Sequence, residues 1–162
     1  MLVETWLSVR HERVLRALGA VEPPGDVYPW MQVLYPGAFL AMLASHTMLA
    51  SHTLYASDAS DLKGWEAAGL AVFVLAKLLK YWAMASLGVR WTFRVLVPPG
   101  STAVAAGPYR LIRHPNYVAV MGELLGVAMM ARTPIVGGVM ILLFGALILL
   151  RIRVEERALD AS

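Results

Sequence analysis

Long apolar runs separated by short charged breaks leave this chain few ways to fold. They extend from about Trp30 to Leu54, Trp65 to Leu87, Tyr117 to Ala131 and Ile135 to Leu150. A helix rising about 1.5 Å per residue needs roughly 20 apolar residues to cross a hydrocarbon core of about 30 Å. With 59% of its 162 residues hydrophobic and 15% charged, the chain is too apolar for an ordinary soluble domain. The expected fold is therefore all-α: a polytopic membrane protein with about four transmembrane helices. Only Arg132-Thr133-Pro134 separates the last two, so they form a tight antiparallel C-terminal hairpin. Both are short for spans, and such a hairpin thins the bilayer or sits toward one side of it.

The positions of the charges report topology. Ten arginines lie before the first run, between the second and third, or after the fourth: Arg10, Arg13, Arg16, Arg90, Arg94, Arg110, Arg113, Arg151, Arg153 and Arg157. Lys63 and Arg132 face them from the other side. The positive-inside rule then puts both termini and the 88–116 loop in the cytoplasm. A net charge of +3 is explained by this asymmetry without invoking nucleic acid. The chain has no cysteine, which excludes disulfides, thiolate metal sites and cysteine nucleophiles.

Three regions follow. Residues 1–26 mix Trp6, Leu7, Val14, Leu15 and Leu18 with Arg10, His11, Glu12, Arg13 and Arg16, a pattern that suits a helix lying in the headgroup layer. Glu4 and the charges from Arg10 onward leave no apolar core for a secretory signal peptide, and Pro23-Pro24-Gly25-Asp26 breaks the chain. Residues 27–87 hold the first two spans, and 88–162 the loop and hairpin. The first span contains a tandem repeat, Met42 to Thr47 and Met48 to Thr53. Its His46 and His52 point about 120° apart on a helix, a poor pair of ligands for one metal, so no metal site is expected. The small residues of the repeat instead suit close helix packing, with the histidines bonded inside the bundle or near an interface.

The chemistry-bearing residues sit at two helix ends. In Arg113-His114-Pro115-Asn116-Tyr117, the proline fits the first turn of a helix, where its missing N–H is not needed. Free backbone N–H groups and the positive end of the helix dipole there favour an anionic group. Farther on, Arg151 and Glu155 are four apart and lie on one helix face. A plainer reading makes Gly107-Pro108-Tyr109 a turn, Arg113 an interfacial anchor, and Arg151 and Glu155 a surface ion pair.

Taken together and in this order, the block from Gly107 to Tyr117 and the Arg151-to-Glu156 helix end resemble the isoprenylcysteine carboxyl methyltransferase family. These integral membrane enzymes use S-adenosylmethionine and release S-adenosylhomocysteine. The resemblance covers roughly residues 88–159. It implies a cofactor site made by Ser101, Thr102, Ala103, Val104, Tyr109, His114, Pro115, Asn116, Tyr117 and Glu155, with Glu156 in support. It also implies that Arg151 contacts a lipophilic acceptor. Methyl transfer from a sulfonium asks little of a protein beyond alignment and dryness.

Glu123 is the one carboxylate inside an apolar helix, and ionisable groups at membrane depth face the bundle or a cavity. It is either a partner for Arg113, Lys77 or Lys80, or a general base. A carboxylate acceptor needs no base, whereas a hydroxyl acceptor does. The protein-methylating members commonly carry glycine where this chain has Ala119, and no acid is expected at Glu123. Two rival classes are a non-enzymatic scaffold that kept the fold and a small transporter subunit using Lys77, Lys80 and Glu123 as a charge relay. The lack of an inverted repeat argues against the latter.

Reporter tags at residue 1, in the 98–106 loop and at residue 162 are expected on the cytoplasmic side, with a tag near Asp61 outside. Accessibility labelling in intact cells or spheroplasts checks this, and a loop tag opposite the C-terminus would show a misassigned span.

Overall fold

A computed structural model describes residues 2–52, 59–100 and 104–160. Five helices make up most of it: α1 Leu2–Ala17, α2 Tyr28–His52, α3 Ala59–Leu87, α4 Pro115–Met130 and α5 Pro134–Asp160. Short 3-10 turns at Gly88–Arg90 and Gly107–Arg110 punctuate the long loop. Among the described residues there is no strand, only an isolated bridge between Val21 and Val97. The expected all-α class is what the chain adopts.

Two helical stretches are long and apolar enough to cross a membrane, Gly64–Arg90 and Pro134–Ala158. Only 22% of the most apolar window of each is buried inside the protein. Soluble core helices bury that surface; here Leu70, Leu75, Leu78, Ile135, Leu142 and Leu149 point outward with no protein over them. An apolar exterior of this extent suits hydrocarbon rather than water. α2 has 25 residues but carries Gln32, Pro36 and His46. α4 has 16 residues and reaches about 24 Å at 1.5 Å each. The expected short hairpin is corrected on one side: α5 continues past Leu150 through the charged segment to Asp160 and is 27 residues long.

The hairpin itself forms as expected. Arg132 adopts a left-handed conformation, φ 53°, and the Thr133 N–H returns to the Ala128 carbonyl at 3.1 Å. His46 on α2 spends its ring N–H on the Ala131 carbonyl at 2.9 Å, which seals this end of α4. The His52 side chain lies outside the described residues, and Arg132 also pairs with Glu66 at the start of α3, at 2.6 Å.

Contact between α3 and α4 is the tightest in the bundle because small residues face each other. A side chain on Gly126 would meet the Gly69 carbonyl and the Phe73 backbone at 2.8 Å, and one on Gly122 would meet Ala76 at 2.9 Å. α2, α4 and α5 then close over Ala38, Met42, Leu124, Ala128, Phe144 and Ile148.

α1 packs on the loop after α3 rather than on the apolar bundle. Its inward face carries buried Glu4, Ser8 and Leu15, while Val3, Trp6 and Val14 are exposed. The Phe93 N–H donates to Ser8 Oγ at 2.8 Å, and His11 Nδ1 bonds the Trp91 carbonyl at 2.8 Å.

Gly126→Ala is expected to destabilise the protein by about 1–3 kcal/mol, the usual range for overpacking. Gly138→Ala, with open space around the position, should leave stability unchanged or slightly raised. Thermal unfolding of both variants in one detergent checks the pair.

Candidate functional site

The long loop reaches its place because Gly107 leaves no room for anything larger. Its φ is +56°, and a side chain there would lie 2.0 Å from Ser86 Oγ and 3.2 Å from Trp82 Nε1. Gly107-Pro108-Tyr109 is therefore clamped to the end of α3, and six residues after Tyr109 the chain enters α4. His114 sits at the N-cap and Pro115 opens the helix, as the sequence predicts. The Tyr117 and Val118 N–H groups already donate to the His114 carbonyl, both at 3.2 Å. Fewer backbone donors are thus free at this helix start than expected, and more of its polarity resides in the side chains.

Those side chains meet the end of α5. Tyr117 Oη donates to Glu155 Oε2 at 2.9 Å and accepts from Arg151 Nε at 2.9 Å. The rings of His114 and Tyr117 stack with centroids 5.6 Å apart, and His114 Nε2 lies 3.5 Å from Glu156 Oε1. Arg113, largely exposed, pairs with Glu156 at 3.4 Å. Two motifs separated by 34 residues thus become one hydrogen-bonded group.

Arg151 is buried and braced from several sides. Beyond Tyr117 it donates to the Phe93 carbonyl, lies 3.7 Å from Asp26 Oδ1, and its guanidinium sits 5.9 Å over the Tyr28 ring. Asp26 was read from the sequence only as part of a chain break. It is a buried hub: its other oxygen accepts the Val95 N–H at 3.2 Å, and Oδ1 accepts the Tyr28 N–H at 3.0 Å. An acid just after Pro-Pro-Gly and two residues before a helix is a capping signal, and that much was legible.

His114, Tyr117, Arg151, Glu155 and Glu156 line a cavity of about 580 Å³, within the range of sites for cofactor-sized ligands. Of the residues expected to bind a cofactor, Val104, Tyr109, His114, Asn116, Tyr117 and Glu155 lie on its wall, as does Arg151. Pro115 is buried beneath them. Ser101, Thr102 and Ala103 lie outside the described residues. Burial, with the Glu155 carboxylate as the second cause, pushes the Tyr109 phenol above its ordinary value.

A second polar group, from four helices, borders the same cavity. Glu123 on α4 is fully buried; Lys77 Nζ lies 3.0 Å from its Oε2, Lys80 Nζ 3.5 Å from its Oε1, and Tyr35 Oη donates to it. Glu4 on α1 completes the set, accepting from Lys80 at 3.0 Å. Burial works to raise the Glu4 carboxyl, but Lys80 and Lys77 outweigh it and hold it below the usual range. Tyr35, Lys80 and Glu4 line the cavity, while Glu123 stands behind them. Of the three partners expected for Glu123, the two lysines are present and Arg113 is not. Nothing in the sequence points to Tyr35, and Glu4 reads there only as a charge that interrupts the N-terminal apolar stretch. Tyr35 carries no local signal, being one of several aromatics in an apolar run.

A sequence profile of the isoprenylcysteine carboxyl methyltransferase family matches residues 69–161. An uncharacterized protein of Bacillus subtilis, YpbQ, is 27% identical over 157 residues, covering 97% of this chain and 88% of that one. An uncharacterized protein of Haemophilus influenzae is 21% identical over 155 residues, covering 95% of this chain and 85% of its own. No solved structure matches the chain.

Asp26→Ala is expected to destabilise the protein by about 3 kcal/mol, the scale for removing one partner of a buried ion pair. Asp26→Asn, which can still accept the Tyr28 N–H, should lose less. Chemical or thermal unfolding in detergent distinguishes the two.

Proposed function

The chain belongs to the isoprenylcysteine carboxyl methyltransferase family, and we propose that it transfers a methyl group from S-adenosylmethionine to an oxygen of a lipophilic acceptor. The acceptor oxygen belongs to a carboxylate or a hydroxyl. The observation that carries this reading is the Tyr117 hydroxyl joining Arg151 to Glu155 on the wall of a cofactor-sized cavity. Four helices, α2 to α5, cross the bilayer in this reading, with the termini and cavity mouth on the cytoplasmic side where the cofactor is found.

The residues present fit such a cofactor. Asn116 Oδ1 is buried with no hydrogen-bond partner, and His114 Nε2 is buried with only the Glu156 carboxylate nearby, at 3.5 Å, a state that is costly unless a ligand or water completes it. The carboxylates of Glu155 and Glu156 suit an ammonium group or ribose hydroxyls. Tyr109 adds an aromatic wall, and Val104 lines the loop side. When bound, the cofactor supplies an electrophilic methyl group.

What the chain itself contributes is position and dryness. Arg151, held by Asp26, Phe93 and Tyr117, presents a fixed guanidinium to the acceptor side of the cavity. Its rigidity spares the entropy of ordering a long side chain at the moment of reaction. α1 covers the cavity through Glu4 and Thr5, which keeps water from competing for the methyl group. Glu123 is the proton acceptor when the acceptor is a hydroxyl.

His114→Ala and Glu155→Gln are each expected to weaken S-adenosylmethionine binding tenfold or more in a protein that remains folded. Titration calorimetry in detergent, beside a thermal unfolding curve, checks both, and unchanged affinity in the two variants would sink the proposed pocket.

A further inference from the structure

Glu123 has no exposed surface and does not line the cavity, so an acceptor cannot touch it directly. Tyr35 does both things that Glu123 needs done. It lines the cavity, and its hydroxyl donates to Glu123 Oε2. Its ring is fixed edge-on to Phe39 at 4.9 Å and tilted on Phe144 at 5.4 Å, with Lys80 Nζ 5.7 Å from the ring centroid. A tyrosine so immobilised, with its only acidic proton aimed at a buried carboxylate, can receive one proton as it passes on another.

We propose that Tyr35 is the catalytic residue that meets the acceptor's oxygen, and that Tyr35 and Glu123 form a proton relay for a lipid bearing an acidic hydroxyl. This rests on the methyltransferase reading above and adds the substrate class and the contact residue. The step balances as follows. The acceptor O–H bond breaks, its proton passes to Tyr35 Oη, and the tyrosine's own proton passes to Glu123 Oε2. The oxygen keeps the electron pair with which it takes the methyl group, and the departing thioether keeps the pair of the broken carbon–sulfur bond. One positive charge disappears from the donor and one proton arrives at the Glu123 cluster, so net charge in the dry site is unchanged. That conservation matters where charge separation is expensive.

The surrounding groups are arranged for such a transfer. Glu4, Lys77, Lys80 and Glu123 bring two positive and two negative charges into one buried group. Lys80 and Glu4 also line the cavity, which gives the proton a route back to the wet side after each turnover. A carboxylate acceptor would use none of this machinery.

Tyr35→Phe tests the relay and keeps the aromatic packing, while Glu123 retains its two lysines. Two acceptors are compared in mixed micelles: a long-chain alkylphenol, and a nitro-substituted alkylphenol that is already ionised near neutral pH. On the plain phenol the variant is expected to turn over a hundredfold or more slowly than the parent, recovering as pH rises and the phenol ionises by itself. On the nitrophenol the two proteins should be nearly equal, and cofactor affinity by calorimetry should not differ. Glu123→Gln should repeat this pattern. Equal activity on the plain phenol, or equal impairment on both phenols, overturns the relay. A parent protein that binds cofactor but methylates only a prenylcysteine carboxylate, or neither phenol, also overturns it and leaves the cofactor site standing. A parent that does not bind the cofactor removes the methyltransferase reading as well.

Discussion

Where α3 meets α4, two backbones approach with almost no side chain between them. Gly69 and Gly126 are so close that a Cβ on either would strike the other's carbonyl at 2.8 Å. In lipid there is no hydrophobic force pressing helices together, and close contact through small residues supplies the van der Waals attraction instead. The neighbours of those small residues are then brought within ionic reach. Ala76 lies against Gly122, and the residues that follow each of them, Lys77 and Glu123, pair at 3.0 Å. A bulkier contact would part the helices and draw the Glu123 carboxylate away from both lysines in an apolar medium.

The ion cluster is therefore a consequence of the packing and also a reason it must persist. Removing a charge from water costs several kcal/mol, and only close opposite charges with further hydrogen bonds offset that. Here Lys77 and Lys80 face Glu4 and Glu123, and Tyr35 supplies a hydrogen bond. Because Glu4 comes from α1, the cluster also holds the amphipathic N-terminal helix over the cavity. The ion pairing in the bundle and the covering of the cavity share one set of contacts.

At the other side of the cavity the same logic works through Arg151. It leaves the apolar part of α5 and finds its partners on α4, the loop and the segment just before α2. Each partner comes from a different stretch of chain, so this one guanidinium registers four segments against one another. The Gly107 clamp on Ser86 and Trp82 fixes where the loop delivers Tyr109 and His114 to that assembly.

Much of this was legible in the sequence, for identifiable reasons. Apolar runs give helices in any environment poor in water, Pro115 marks a helix start, and four-residue spacing puts Arg151 and Glu155 on one face. Arg94, Arg113 and Arg151 gather around the cavity. The sequence rules are local, satisfied by a few neighbouring residues. Partners 69 to 120 residues apart obey no such rule: Asp26 with Val95, Lys80 with Glu4, Tyr35 with Glu123, Met31 with Arg151. Periodicity says which face of a helix is apolar but not which helix it meets or at what depth. Those choices were made by the glycine contacts and the path of the loop, so Glu123 was recognisable as a functional candidate from the sequence alone, while its isolation from the cavity behind Tyr35 was decided only by the tertiary fold.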